Sequence, residues 1–150
     1  MDENAEFIRG AAFADLGFLD ERGRPSIRRV FCTGRRGIGG HLISTNTSSS
    51  HVRRLMRDGA ACLYFANEAR FEGVCLTGRA MVHTDRAHRE MLWHDWDVKY
   101  YPGGVDDEDY CVVEFLADGA RYYRLGDIGE LTDGQIAEWD AGAEYECCGG

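Results

Sequence analysis

The stretch Leu42 to Leu55, LISTNTSSSHVRRL, holds the residue types with the plainest chemistry. An apolar strand pattern runs into a hydroxyl-rich turn, and the turn into a helix with basic residues on its first turns. A helix N-terminus leaves four backbone N–H groups without intrahelical partners, and its dipole favours negative charge. The hydroxyls of Ser48, Ser49 and Ser50 can donate to phosphate oxygens, and His51, Arg53 and Arg54 can add positive charge. The same residues also suit a plain N-cap, which needs only one hydroxyl. From this segment alone both readings stand.

Other candidate groups carry less. There is no GxSxG, no Walker loop, and no GxGxxG opening a helix. The glycines of GRRGIGG (Gly34 to Gly40) lie between two strand patterns and read as hairpin chemistry. His83, His88 and His94 fall near Asp85 and Asp95, but His88 and His94 do not share a helix face. They read as a solvated helix face, and no metal site is expected. Four cysteines, Cys32, Cys62, Cys75 and Cys111, sit inside apolar strand patterns and read as reduced core thiols. Cys147 and Cys148 stand in a tail beside Glu144 and Glu146, without the electropositive setting of a reactive thiol. Trp93, Trp96, Tyr100 and Tyr101 read as packing of a helix on a sheet.

The elements that must position these groups follow from periodicity and turn signals. A helix is predicted over residues 3–14 and a strand over Asp15 to Leu19. The DERGRP loop (Asp20 to Pro25) leads to a strand over Ser26 to Thr33, and another strand spans His41 to Thr45. The helix after the serines closes at Asp58-Gly59. Ala60 to Ala66 reads as a buried strand, and Glu72 to His83 as a long one with a bulge at Gly78. Thr84 is the predicted cap of the next helix. Asp109 to Leu116 and Arg121 to Leu125 read as a hairpin across Ala117 to Ala120. Thr132 caps a last helix over Asp133 to Asp140, within a C-terminal helix and tail 132–150. Six or seven short strands with helices inserted at two places suggest a mainly β chain with peripheral helices, folded as a small antiparallel barrel.

With 150 residues and no linker or repeat, residues 1–150 form one domain. The net charge of −9 argues against nucleic-acid binding, which rests on clustered Lys and Arg. Yet Arg22, Arg24, Arg28, Arg29, Arg35 and Arg36 lie close together, with Arg53, Arg54 and Arg57 following. A local positive site on an acidic protein suits a small anion. No apolar run is long enough to span a bilayer, and MDENAEFIRG lacks the layout of a secretory signal, so a cytoplasmic protein is expected.

Taken in order, GRPSIRRVFC, a Gly-rich turn, a strand ending in STN, the serine turn and RRLMRDGAACLYF resemble the pyridoxamine phosphate oxidase-like family of FMN-binding split barrels. LTGRAMVHTD and WHDWDVKYYPGGVDDEDYCVVEF resemble its general stress protein branch. The resemblance covers about Phe7 to Leu125. It implies a split β-barrel and a homodimer with flavin sites at the subunit interface. It also implies that the flavin ring lies along the strand matching Arg28 to Cys32, which makes Arg28, Arg29, Val30 and Phe31 cofactor-binding candidates. Arg28 matches the family's phosphate arginine. Thr45 and Asn46 match a hydroxyl-bearing pair at the end of the next strand, and Ser49, Ser50 and His51 match the phosphate end of the helix.

Ser50 and His51 depart from the family's permanent cations. An imidazole facing the phosphate would charge only at lower pH, so tighter FMN binding in acid is expected, with Arg29 or Arg53 as substitute cations. The family's substrate-phosphate and pyridoxal-binding residues have no match, so its oxidase activity does not carry over. The expectation is an FMN-dependent oxidoreductase acting on a small molecule, with no catalytic residue assigned. The alternatives are a flavin-binding or stress-related module without turnover, and the same barrel holding haem or deazaflavin or reducing nitroimidazoles.

Overall fold

The computed structural model describes residues 2–147. Cys148, half of the cysteine pair, lies outside the described residues, as does the rest of the predicted tail beyond Cys147.

Helix α1 (Asp2–Arg9) leads into strand β1 (Phe13–Leu19), β2 (Pro25–Phe31), the short β3 (Gly34–Arg36) and β4 (Gly40–Asn46). Helix α2 (Ser50–Arg57), β5 (Ala60–Asn67) and β6 (Glu72–His83) follow. Then come α3 (Arg86–Leu92), 3₁₀ turns at Asp95–Lys99 and Gly104–Asp106, β7 (Tyr110–Arg124), β8 (Asp127–Thr132), α4 (Asp133–Asp140) and β9 (Glu146–Cys147). The described strands form one antiparallel sheet in the order β2-β1-β5-β6-β7-β4-β3-β9, with β8 paired to β7. It curls so that β2 approaches β4, the open barrel that six or seven strands suggested.

Four features differ from the pattern reading. The first helix ends at Arg9 rather than at residue 14, because apolar residues with helical spacing also suit β1, whose Ala14, Leu16 and Phe18 point into the core. The predicted hairpin across Ala117 to Ala120 is instead one continuous strand, β7. The reversal comes at Leu125 and Gly126, where both residues adopt positive φ. Sequence spacing hid β3 and β9: Gly34 and Arg35 pair with Cys147 and Glu146, more than a hundred residues away. Asp85, not Thr84, caps α3, accepting from the His88 N–H.

The bulge at Gly78 is present. The β6–β7 register shifts between Thr77 and Gly78, where a Cβ would collide with the Leu116 carbonyl. Thr132 and Gln135 close a reciprocal capping box on α4.

Alternation along the strands builds the core. Leu16, Leu63, Phe65, Leu76, Val113 and Phe115 meet inside the barrel. The opposite face of β4 and β7 packs a second cluster, Leu42, Leu92, Tyr101, Tyr110 and Val112, beneath α3 and the loop after it. His41 is fully buried among Phe65 and Phe115, and burial pushes its imidazole down to about 4.

Candidate functional site

The serine turn joins β4 to α2, and Asp109 holds it in place. The Asp109 carboxylate accepts from the Ser48 N–H and from Asn46 Nδ2, each at 2.8 Å. The Thr47 N–H donates to the Asp109 carbonyl. These bonds hold the Asp109 carboxyl below the usual carboxylate range, the Asn46 amide contributing most. Asn46 is thereby committed to shaping the turn. Asp109 itself escaped the sequence reading, since one aspartate within DDED carries no spacing signal.

Ser49 stands at the N-cap of α2 with extended backbone, but its hydroxyl makes no capping bond. The first intrahelical donor is the Arg53 N–H, to the Ser49 carbonyl. The first-turn amides and the Ser49 hydroxyl therefore remain as donors toward whatever lies over the helix end.

β2 supplies the charge. Successive side chains on a strand point to opposite faces, so Arg28 and Arg29 cannot serve one ligand from the same side. Arg28 shares the inner face with Val30 and reaches the helix end, its Nη2 lying 3.5 Å from Ser50 Oγ and its guanidinium over the Phe18 ring. Nη1 donates to the Ile27 carbonyl. Among the described residues, Arg28 has no carboxylate within ion-pair distance, and neither has Arg53. Both line an open cleft of about 520 Å³ with Ser26, Ser50 and Arg54. Asp20 lies on its rim with its carboxylate spent on the Arg22 and Arg24 amides and the Arg24 guanidinium.

The other candidates separate from this group. Arg29 points outward and pairs with Asp15 at 3.0 Å, which raises its pKa further. Val30 is buried, whereas Phe31 is exposed on the outer face against Phe13, with ring centroids 5.0 Å apart. His51 turns inward: its ring is buried beside Phe18, and Nε2 lies 3.3 Å from Thr45 Oγ1. Burial, and secondarily the charge of Arg28, push its pKa down. The structure thus gives His51 a different setting from the cation position that the helix spacing suggested. It lies beneath the turn with its pKa pushed down by burial, while Arg28 and Arg53 bring the permanent charge.

Two features were out of reach of the spacing. A larger cleft of about 790 Å³ lies between α1, β1 and the β5–β6 end. His83 and His88, read as a solvated helix face, instead stack on each other with ring centroids 3.8 Å apart. Glu114 joins them from β7, thirty-one residues from His83.

No helix among the described residues is long and apolar enough to cross a membrane. Residues 39–132 match the family model described as pyridoxamine 5′-phosphate oxidase like. The fold is similar to that of a Clostridium acetobutylicum protein related to general stress protein 26 of Bacillus subtilis, of the pyridoxinephosphate oxidase family. That match has 34% identity and a TM-score of 0.81, covering 90% of this chain and 95% of that one. A haem-binding protein from Mycobacterium smegmatis shares the fold at 21% identity and a TM-score of 0.72, covering 91% of this chain and 59% of that one. General stress protein 26 from Bacillus anthracis does so at 13% identity and a TM-score of 0.70, covering 87% and 96%. No curated protein sequence matches significantly.

Proposed function

The chain belongs to the pyridoxamine 5′-phosphate oxidase like family, and from that premise we propose that it binds FMN in the Arg28 cleft and works as a flavin-dependent oxidoreductase on a small molecule. The observation that carries the reading is the set of unspent donors at one point. Arg28 and Arg53 have no carboxylate partner among the described residues, and both line one cleft with Ser50, the first residue of α2; the first-turn amides of that helix have no intrahelical acceptor. A terminal phosphate fits that donor set, with Arg28 making charge-assisted bonds and the helix end adding its dipole. Bound FMN would supply hydride or electron transfer. The chain's own residues anchor and orient: Arg28, Ser49, Ser50 and Arg53 at the phosphate, with Thr45, His51 and Asp109 fixing the turn beneath.

Haem, the ligand of one structural relative, fits this cleft less well. No His, Cys, Met or Tyr lines it, so it offers no side chain of the usual axial types.

We also propose a homodimer, with the ring end of the flavin site completed by the second copy. The chain exposes 8602 Å², against roughly 7,600 Å² for a monomer of its mass. Phe13, Ile27, Phe31, Tyr64 and Phe71 stand exposed, most of them on the outer faces of neighbouring strands β2, β1 and β5. An obligate dimer would bury about 2,000 Å² or more. Sedimentation at micromolar concentration should show a dimer; a flavin-loaded monomer would refute it.

An absorption spectrum of protein purified in the presence of FMN tests the cofactor. Flavin bands that persist through desalting are expected, and a Soret band or a spectrum without either chromophore would overturn the assignment. Bleaching of the flavin bands by NADH or NADPH, with reoxidation by a small-molecule acceptor, separates an oxidoreductase from a carrier.

A further inference from the structure

A second polar cluster, sharing no residue with the Arg28 cleft, lies where β6 runs into α3. His83 is the last residue of β6, and His88 stands one turn into α3. Glu114 sits diagonally across from His83 on the neighbouring strand, since His83 pairs with Val112 and Met81 with Glu114. Three side chains distant in sequence thus converge on one face.

Their geometry is that of a ligand set. His83 Nε2 lies 3.0 Å from Glu114 Oε1. The two imidazoles are parallel within 2°, with centroids 3.8 Å apart. One ligand atom from each of His83, His88 and Glu114 lies within 4.8 Å of the others. Donors bound at about 2.0–2.2 Å to one tetrahedral ion stand roughly 3.2–3.6 Å apart, so the His83–Glu114 pair is already close to that spacing, and the His88 ring joins by turning out of its stack so that its in-plane nitrogen faces the same ion.

Two of the three are also held from behind. Asp85 takes His88 Nδ1 at 2.8 and 2.9 Å, which leaves Nε2 to face outward. The Tyr145 hydroxyl donates to Glu114 Oε2 at 2.5 Å, which leaves Oε1 toward the histidines. Carboxylate-backed histidines and hydrogen-bonded carboxylates are the usual outer support of a metal ligand. Asp85 and Glu114 bring negative charge to the cluster. On α3 the guanidinium of Arg86 is engaged by Glu90 and Asp106. The side chains are partly open, 23% for His83, 29% for His88 and 15% for Glu114, which admits an ion and its waters.

We propose that His83, His88 and Glu114 bind one divalent transition-metal ion of the zinc type, with water completing its coordination. Two imidazole nitrogens and one carboxylate suit Zn²⁺ and Co²⁺ and disfavour Ca²⁺ and Mg²⁺, which prefer all-oxygen sets. The ion ties β6, α3 and β7 together. Through Tyr145 it also steadies the segment that carries β9 onto β3.

The test uses the full, tag-free chain with Co²⁺ and Zn²⁺. Cobalt chloride titration should raise d–d absorption that saturates at one ion per chain, and Zn²⁺ should displace it. The band shape should lack thiolate-to-cobalt charge transfer, and Cys147→Ser/Cys148→Ser should titrate like wild type. His83→Gln/His88→Gln should lose at least about 100-fold in affinity. Tyr145→Phe and Asp85→Asn should lose roughly 10-fold, the lower end for outer-shell partners. If the double variant fails to fold, His88→Gln alone, at a half-buried position of α3, carries the test with the same expected direction. No stoichiometric cobalt spectrum, binding unchanged in the histidine variants, or a thiolate band that vanishes with the cysteines would each overturn the site.

Discussion

The two clefts of this molecule differ in the opposite sense to their size. The larger, under α1, is rich in charge, but its arginines are spent within the chain: Arg29 on Asp15, Arg70 on Glu72, and Arg124 on Glu3 and Asn4. The smaller, at the end of α2, leaves Arg28 and Arg53 without carboxylate partners among the described residues, next to a serine cap without its bond. A charged group already paired gains little from a ligand, because the ligand must replace an interaction the protein makes by itself. On the proposed assignment, volume is the weaker guide and unpaired cations mark the site.

Four outcomes would break or sharpen that contrast. The largest concerns the fold on which both clefts rest. His41 is buried neutral, with its pKa lowered to about 4 from an ordinary 6.5, so the unfolded chain binds more protons between those values. Stability is full above about pH 6.5 and falls as pH drops toward 4, by on the order of 3 kcal/mol. Denaturant midpoints measured across that window should show the fall, and His41→Leu should flatten it. Ligand titrations therefore belong above pH 6.5, where loss of binding is not loss of fold.

Next in size is Arg28→Ala. It should weaken FMN by about 2–3 kcal/mol, roughly 30- to 150-fold, and leave riboflavin and thermal stability nearly unchanged. Equal weakening of both ligands would remove Arg28 from the phosphate. In the larger cleft the pattern should invert. Arg124→Ala should cost about 1 kcal/mol of stability, since it removes a partly buried guanidinium from Glu3, Asn4 and the Tyr122 ring, while FMN affinity stays within about twofold. A matching loss of FMN affinity would move the site to the larger cleft.

The smallest effect is expected at His51. Its ring faces Thr45, and burial and then Arg28 push its pKa down, so acid should not tighten FMN through it. Isothermal titrations between pH 6.5 and 8 should give parallel affinity curves for wild type and His51→Gln. A dependence present only in wild type would mean that the ring swings out to the phosphate.

Much of this was legible in the sequence wherever the signal was local. The long strand over Glu72 to His83, the bulge at Gly78, the Thr132 cap and the serine turn before a helix are all short-range signals, and the order of the segments carried the family. Two of the failures share one cause. β3 and β9 exist only because residues 34–35 meet residues 146–147, and the apparent break at Ala117 to Ala120 is filled by pairing with β6 and β8. At the site, the family resemblance placed Arg28 and Ser50 together, but only the pleat of β2 sends Arg29 away, and only burial turns His51 inward. Asp109 and Glu114, which organise the two polar clusters, come from β7 and its approach, far from the residues they serve.

The central claim is that the α2 end reads a phosphate. The most direct measurement compares FMN with riboflavin on the wild-type chain, by fluorescence quenching at pH 7.5 and fixed ionic strength. The two ligands differ only in the phosphate. Charge-assisted bonds from Arg28 together with the helix end should make FMN at least about 100-fold tighter. Equal affinity for the two, or tighter riboflavin, would contradict the assignment of the Arg28 cleft as the flavin phosphate site.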